Sequence, residues 1–312
     1  MLLQIDGWFG GGKGVLWLLL DGHPDVYCSP IHDYSYCTFL SHSNEEEWIK
    51  TKHIELLRKT LARTQFHKFE KVFLDGAQEF SFSSSEMIDL PVPYDFYEFN
   101  KLFGETVHRA EAWTLEYLID TLYESLRLSS DYRSKKKPKW YASSSYAVIA
   151  DQYERIPKLL PHAKSIHVRR SVEAVIATRS NRKPMARDCK TKHFFSDPFQ
   201  KRIEEGEVEK ILEFYRIHDE LEARYPDVFM KVDFNTLVSN PEQVMPSVAD
   251  FLGIDFHESM LIATYNGKEI VHGGRKYIGQ ELDKIEDLLS EEEREIIKER
   301  VRIFHEGKSK ND

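Results

Sequence analysis

Short apolar segments alternate with amphipathic segments along most of the chain. Leu2–Ile5, Trp140–Ala142, Ser165–Val168 and Val228–Val232 are apolar and short, as strands of a buried sheet are. Apolar residues recur at helical spacing in segments between and beyond these runs: 15–20, 98–128, 172–179, 203–224, 242–252 and 290–304. This alternation predicts an α/β fold with a central, mainly parallel sheet flanked by helices on both faces.

Composition and charge narrow the class of protein. The 312 residues are 41% hydrophobic and 30% charged, which is typical of a soluble globular protein with a large core. Neither a repeat nor a linker is visible, so we expect one domain over residues 1–312. The formal net charge of −9 argues against a nucleic-acid partner, which would require a basic surface.

Cysteine spacing and apolar run length bear on location. Cys28, Cys37 and Cys189 are irregularly spaced, which favours neither a disulfide framework nor a zinc site. The longest apolar run near the start, Val15–Leu20, is far shorter than the ~20 residues of a membrane span. The features of a secretory signal are missing around it. We therefore expect a cytoplasmic protein without a membrane span.

A glycine-rich segment, Gly7–Gly14, joins the first strand to the first helix and is called the glycine loop below. It fits the pattern G-x-x-x-x-G-K-x, in which backbone N–H groups and the helix dipole surround a phosphate. The residues predicted to bind this phosphate are Gly10, Gly11, Gly12, Lys13, Gly14 and Val15. The alternative is a plain strand-to-helix turn with an exposed lysine.

The last position of the pattern bears on metal use. Nucleotide hydrolases place Ser or Thr there to hold magnesium, whereas this chain has Gly14, which has no hydroxyl. The loop therefore favours a phosphorylated nucleotide that needs no bridging metal, and we predict no metal site.

Four segments in sequence order carry a family resemblance. Leu18–Val26 is similar to the run L-L-D-x-H-P-D-V, and Leu160–Ser171 to F-P-D-A-K-F-I-H-L-V-R-D-P. Val232–Glu242 is similar to Y-E-D-L-V-x-D-P-E, and 266–276 to a glycine-rich, often basic closing loop. Together they resemble the sulfotransferases that use 3′-phosphoadenosine 5′-phosphosulfate (PAPS), which have a P-loop fold.

The resemblance implies a donor, a product and residues that bind them. It implies in-line transfer of the sulfuryl group from PAPS to an acceptor hydroxyl or amine, with 3′,5′-adenosine bisphosphate (PAP) as product and no required metal. Arg170 and Thr178 match an arginine and a serine, eight residues apart, that bind the 3′-phosphate. Arg275 and Lys276 match the basic closing loop.

The glycine loop departs from the family pattern Lys/Arg-Ser-Gly-Thr-Thr. At those five positions the chain has Gly10 to Gly14, so the basic residue moves to Lys13. Lys13 could still reach the bridging oxygen and neutralise charge on the leaving phosphate, which is a catalytic role. The alternative is an altered or inactive donor site.

The catalytic base is sought in the segment after the second strand. His32 has a suitable unperturbed pKa, and Asp33 could orient His32 or act as the base itself. The alternative is a surface loop histidine. Residues of about 35–135 resemble the family least, so we expect them to form a helical insertion on the acceptor side, for a carbohydrate or small metabolite.

Other polar residues have structural interpretations. His23 is expected to make hydrogen bonds at the end of the first helix, and His167 to be a satisfied core histidine. Arg179 is expected at the surface, although it could help to hold the 3′-phosphate.

Two other functions remain open at this point. The Gly-Lys pair of the loop favours a small-molecule kinase, which the missing hydroxyl at Gly14 disfavours. The departure from Lys/Arg-Ser-Gly-Thr-Thr favours a non-catalytic nucleotide-binding protein.

Overall fold

The structure is a computed structural model that describes a defined part of the chain. The described residues are 1–28, 96–109, 114–129, 136–144, 153–180, 198–265, 267–269, 271–272, 275–276 and 288–308. The expected insertion at 35–135 lies partly outside these ranges, so its role stays a prediction. Among the described residues, no helix is both long and apolar enough to cross a membrane.

A parallel sheet of five strands forms the centre of the described fold. The strands are β1 (Leu2–Asp6), β2 (Val26–Cys28), β3 (Trp140–Ser144), β4 (Lys164–Arg169) and β5 (Phe229–Asp233). Their order is β2-β3-β1-β4-β5, and every neighbouring pair is parallel. The first strand of the chain is therefore the middle strand of the sheet, and the glycine loop follows directly from its carboxyl end.

Helices make up most of the remaining described structure. They are α1 (Lys13–Asp21), α2 (Phe96–Arg109), α3 (Leu115–Leu128), α4 (Ile156–Leu159), α5 (Val172–Arg179), α6 (Phe199–Glu204), α7 (Glu207–Arg224), α8 (Phe234–Ser239), α9 (Pro241–Leu252) and α10 (Glu291–Lys308). A 3-10 turn covers Glu258–Leu261. Two small hairpins follow, β6 (Thr264–Tyr265) with β7 (Lys268–Glu269) and β8 (Val271–His272) with β9 (Arg275–Lys276).

Alternating side chains of the strands supply two hydrophobic cores. Leu2 and Tyr141 belong to one core, with apolar residues of α3, α5 and α7. Leu3 and Ile5 belong to the other, with apolar residues of α1, α8 and α9. Because successive strand residues point to opposite faces, each face of the sheet is covered by its own helices. The predicted α/β architecture is confirmed.

Local signals in the sequence explain the helix ends. Ser290 and Glu293 form a capping box at the start of α10: the Ser290 N–H donates to Glu293 Oε2 (2.8 Å) and the Glu293 N–H to Ser290 Oγ (3.2 Å). The prediction of a single helix over 203–224 is wrong. It is divided at Gly206, whose positive φ of 69° ends the regular backbone between α6 and α7.

The carboxylate of Asp21, the last residue of α1, anchors the β6–β7 hairpin. Asp21 Oδ2 accepts hydrogen bonds from Thr264 Oγ1 (3.0 Å) and from the Gly267 N–H (2.7 Å). Asp21 and Thr264 are both buried. The two hydrogen bonds offset the cost of burying the carboxylate, and one of them pairs a backbone N–H group of the hairpin.

Candidate functional site

The glycine loop turns sharply at the carboxyl end of β1. The Gly11 N–H donates to the Trp8 carbonyl (2.8 Å), which closes a tight turn before α1. Gly10 and Gly12 have positive φ angles of 78° and 89°, a region that other residues rarely adopt. The conformation of the loop therefore depends on glycine at these two positions.

Neighbouring atoms give Gly12 a second reason to be glycine. A Cβ there would lie 2.1 Å from the ring of Phe234, the first residue of α8. At Gly7 a Cβ would lie 2.8 Å from the carbonyl oxygen of Val168, on the adjacent strand β4. The loop is thus packed tightly between the ends of β4 and β5.

The loop amides fall into two sets. The N–H groups of Gly11 and Val15 donate to the carbonyls of Trp8 and Gly12, within the loop itself. The amides of Gly12, Lys13 and Gly14 lie at the start of α1, at the positive end of its dipole. This second set, together with Lys13, is what the loop offers to an anion.

The structure brings Arg170 and Thr178 together beside the loop. Arg170 Nη1 donates to Thr178 Oγ1 (3.2 Å) and to the Gly10 carbonyl (3.3 Å). Thr178 in turn donates to the Ala174 carbonyl (2.7 Å), one turn earlier in α5. Two residues that the sequence predicted for one phosphate therefore lie in contact with each other and with the glycine loop.

Two aromatic residues hold Arg170 in place. Its guanidinium lies 4.5 Å from the ring centroid of Phe234, a cation–π contact. The Tyr215 hydroxyl donates to the Arg170 carbonyl (2.7 Å). Burial raises the pKa of Tyr215 to about 12, so this hydroxyl remains a donor at neutral pH.

Arg179 occupies a different place from the one predicted. Its side chain is only 14% exposed and pairs with Glu207 (2.7 Å), so the expectation of a surface position is wrong. The guanidinium lies 5.0 Å from the ring centroid of Phe9, on the loop. Helical periodicity gives no signal for this burial, because Glu207 lies 28 positions further along the sequence.

A buried polar cluster that the sequence reasoning missed lies between β1, β4 and α7. Asp6, the last residue of β1, is fully buried and accepts hydrogen bonds from Tyr153 and from His218 Nε2 (3.2 Å). Burial alone would raise the pKa of Asp6, but the hydrogen bond from His218 and the charge of Lys13 lower it. An ionised carboxylate therefore lies at the base of the loop.

The two predicted structural histidines have different outcomes. His23 is confirmed: its Nε2 lies 2.9 Å from the Asp255 carbonyl, and its Nδ1 accepts from the Asp25 N–H (3.1 Å). His167 is buried as expected but is not satisfied, because neither ring nitrogen has a hydrogen-bond partner among the described residues. Burial, followed by repulsion from His218 and Arg169, lowers the pKa of His167 well below its usual value.

The remaining predicted site residues are placed only partly. Arg275 and Lys276 form β9, in register with His272 and Val271. His32 and Asp33 lie outside the described residues. In the described ranges, no group of three or more His, Cys, Asp or Glu side chains is arranged to hold a metal ion.

Solved structures similar to this chain share low sequence identity with it. The sulfotransferase domain from the Synechococcus PCC 7002 olefin synthase is 17% identical, over 96% of this chain and 93% of that one, with a TM-score of 0.49. The sulfotransferase domain from the curacin biosynthetic pathway is 15% identical, over 96% of both chains, with a TM-score of 0.44. Sulfotransferase STF9 from Mycobacterium avium is 14% identical, over 83% of this chain and 65% of that one, with a TM-score of 0.40.

Sequence comparison gives the family. No curated protein sequence matches the chain. The family model described as the sulfotransferase family matches residues 16–258, which is more than half of the chain. This chain therefore belongs to the sulfotransferase family and is a sulfotransferase.

Proposed function

We propose that this sulfotransferase takes its sulfuryl group from PAPS and transfers it to a hydroxyl, or an amine, of a carbohydrate or small metabolite. The observation that carries the proposal is the contact of Arg170 with Thr178 Oγ1 (3.2 Å) and with the Gly10 carbonyl (3.3 Å). This contact joins a place for the 3′-phosphate to a place for the 5′-phosphosulfate, and PAPS carries both groups on one nucleoside.

The glycine loop is assigned to the 5′-phosphosulfate. Amides at the start of α1 point their hydrogens away from the helix and, with the helix dipole, favour an anion. Lys13 is 8% exposed, so its charge acts in a largely desolvated place where electrostatic interactions are strong. Gly14 offers no hydroxyl to a metal, which suits transfer without magnesium.

The 3′-phosphate is assigned to Arg170 and Thr178. A guanidinium offers several N–H donors in one plane and suits phosphate oxygens. Phe234 and Thr178 already contact the guanidinium of Arg170, so binding costs little side-chain entropy. Arg275 and Lys276 are assigned to the same phosphate through the closing segment that contains β9.

Transfer requires a nucleophile, a base and charge stabilisation. When bound, PAPS supplies a sulfuryl group already attached to a good leaving group. The acceptor oxygen forms a bond to sulfur while the bond from sulfur to the bridging oxygen breaks, and the acceptor proton passes to a base, His32 or Asp33. Lys13 then neutralises the charge that develops on the bridging oxygen as PAP leaves.

Calorimetric binding of PAP in the presence of EDTA tests the donor site. We expect PAP to bind without metal, and adenosine, which lacks both phosphates, to bind far more weakly. Tight binding of Mg·ATP together with no binding of PAP would contradict the proposal and favour a kinase.

Transfer of labelled sulfate from PAPS tests the reaction. A panel of saccharides and small hydroxylated metabolites serves as acceptors, with Lys13→Met as the matched variant of much lower expected activity. We expect at least one acceptor to be sulfated by the wild type. PAP binding without any transfer across the panel would support the donor assignment and contradict the proposed acceptor classes.

A further inference from the structure

The hydroxyl of Thr178 has two hydrogen-bond partners whose chemistry fixes the direction of each bond. Thr178 Oγ1 lies 3.2 Å from Arg170 Nη1 and 2.7 Å from the carbonyl oxygen of Ala174. A guanidinium can only donate, and a carbonyl oxygen can only accept. The hydroxyl therefore accepts from Arg170 and uses its single hydrogen on Ala174.

This direction matters for a phosphate. The oxygens of an ionised phosphate accept hydrogen bonds, so the residues that bind it must supply hydrogens. A hydroxyl carries one hydrogen, and that of Thr178 already pairs with the carbonyl four residues earlier in α5, a common bond for threonine within a helix. In this arrangement Thr178 does not supply a donor to the 3′-phosphate.

The same hydroxyl helps to hold the guanidinium of Arg170. Two oxygens accept hydrogens from Arg170 Nη1, those of the Gly10 carbonyl (3.3 Å) and of Thr178 (3.2 Å). The ring centroid of Phe234 lies 4.5 Å from the central carbon of the guanidinium. Because a guanidinium is planar, two acceptors at one nitrogen and a ring beside the group favour one orientation next to the glycine loop.

The methyl group of Thr178 has a different neighbour. Cγ2 and Cβ of Thr178 lie 3.4 Å and 3.5 Å from the position that a Cβ would take on Gly10. The branched side chain thus packs its methyl group near the glycine loop while its hydroxyl accepts from Arg170. Branching at Cβ restricts rotation of the side chain, which helps to keep both contacts.

We propose that Thr178 is a positioning residue of the 3′-phosphate site, which holds the guanidinium of Arg170 in place while Arg170 meets the phosphate. This inference rests on the proposed use of PAPS and gives the two residues different roles. The hydroxyl of Thr178 then contributes to PAP affinity only while Arg170 is present.

A double-mutant cycle with calorimetric binding of PAP tests this role. Thr178→Val keeps a methyl group near Gly10 and removes the hydroxyl. We expect it to weaken PAP binding about 3- to 10-fold, because Arg170 Nη1 loses an acceptor. Arg170→Met should weaken PAP binding about 10- to 100-fold. In the Arg170→Met background, Thr178→Val should change PAP affinity by less than about twofold.

Further measurements separate positioning from a general effect on the fold. Thr178→Ser keeps the hydroxyl and should bind PAP within about twofold of the wild type. Adenosine 5′-phosphate, which lacks the 3′-phosphate, should bind equally well to wild type and Thr178→Val. The matched control is Ser239→Ala, which removes a hydroxyl that also donates to the carbonyl one turn earlier, that of Asn235 (2.8 Å), and should leave PAP affinity unchanged.

Three outcomes would overturn the inference and leave the donor assignment intact. The first is an equal loss of PAP affinity on Thr178→Val in both backgrounds, which would mean that the hydroxyl donates to the phosphate itself. The second is unchanged PAP affinity in Thr178→Val, and the third is an equal loss of affinity for adenosine 5′-phosphate. Wild type that binds no PAP overturns the proposed function as well. If a variant does not fold, Thr178→Ala or Arg170→Ala takes its place in the cycle with the same expectations.

Discussion

Lysine side chains lie at the carboxyl edge of the parallel sheet, where its strands end, and at the amino edge, where they begin. At the two edges they lie at opposite ends of helices. At the carboxyl edge, Lys13 is the first residue of α1, so its charge is next to the positive end of that helix dipole. At the amino edge, Lys164 Nζ donates to the Phe251 carbonyl and Lys139 Nζ to the Gly253 carbonyl, at the negative end of α9. The indole N–H of Trp140 donates to the carbonyl between them, that of Leu252 (2.9 Å).

This difference between the two edges indicates that one group of lysines stabilises the fold and the other serves ligand binding. Cations at the end of α9 satisfy carbonyl groups that the helix itself leaves without partners, so this arrangement is complete without a ligand. A cation at the start of α1 lies beside the positive end of the helix dipole, and together they favour a bound anion. Substitutions at the amino edge should therefore change the free energy of unfolding, and substitutions at the carboxyl edge should mainly change nucleotide binding.

Gly12→Ala should give the largest effect at the carboxyl edge. A methyl group there meets the Phe234 ring at 2.1 Å and the backbone has a φ of 89°, so we expect a loss of about 2–5 kcal/mol in the free energy of unfolding. PAP binding should be abolished in the protein that still folds. Chemical denaturation and calorimetry measure the two effects. Gly307→Ala, in an open part of α10, is the control and should be neutral or slightly stabilising.

Lys13→Met should slow transfer with little change in fold. In the proposed mechanism Lys13 stabilises the leaving phosphate, so loss of its charge is expected to lower kcat about 100- to 1000-fold. Asp6 keeps its hydrogen bonds to Tyr153 and His218, so the base of the loop should remain ordered. The exposed Lys298, which pairs with Glu295 on α10, provides the matched control Lys298→Met. Transfer by Lys13→Met at near the wild-type rate would remove Lys13 from the mechanism.

His167→Phe should change how the free energy of unfolding depends on pH. The pKa of His167 is lowered in the folded protein, so below a pH of about 6.5 the unfolded chain takes up a proton that the folded chain does not. This group should lower the free energy of unfolding by about 1.4 kcal/mol per pH unit below 6.5, and not above it.

The two proteins are compared by denaturation at pH 8 and pH 5.5. The difference in stability between wild type and His167→Phe should shift in favour of the variant as the pH falls. Parallel pH profiles for the two proteins would show that the pKa of His167 is not lowered in the folded protein.

Lys164→Met should have the smallest effect, and at the amino edge only. Losing the hydrogen bond to Phe251 and the contact with its ring (4.4 Å) is expected to lower the free energy of unfolding by about 1 kcal/mol. PAP affinity should not change. Lys158→Met, on the exposed side of α4, is the control for stability. A weaker affinity for PAP in Lys164→Met would break the separation between the two edges.

Local patterns in the sequence predicted much of the described fold. The alternation of apolar strands with amphipathic helices depends on neighbours in the chain, and it was confirmed. The division of the predicted 203–224 helix was missed, because Gly206 alone is compatible with a helix interior. A glycine shows its effect only when its backbone angles are known.

The candidate site could be predicted only where its residues follow a pattern. The loop spacing and the eight-residue separation of Arg170 and Thr178 can be found in the sequence, and the structure brings these segments into contact. Asp6 lies at the end of an apolar run and depends on His218, 212 positions away. Pairings across such distances form through tertiary contacts, which leave no local signal in the sequence.

Helix α1 connects the glycine loop to the β6–β7 hairpin. Its first turn carries the glycine loop, and its last residue, Asp21, holds the hairpin that leads towards β9. Nine residues span about 13 Å, and almost all of their side chains are buried. One extra residue in this helix would rotate the loop by about 100° relative to the hairpin and lengthen the gap by about 1.5 Å. The length of α1 therefore sets the distance between the glycine loop and the β6–β7 hairpin.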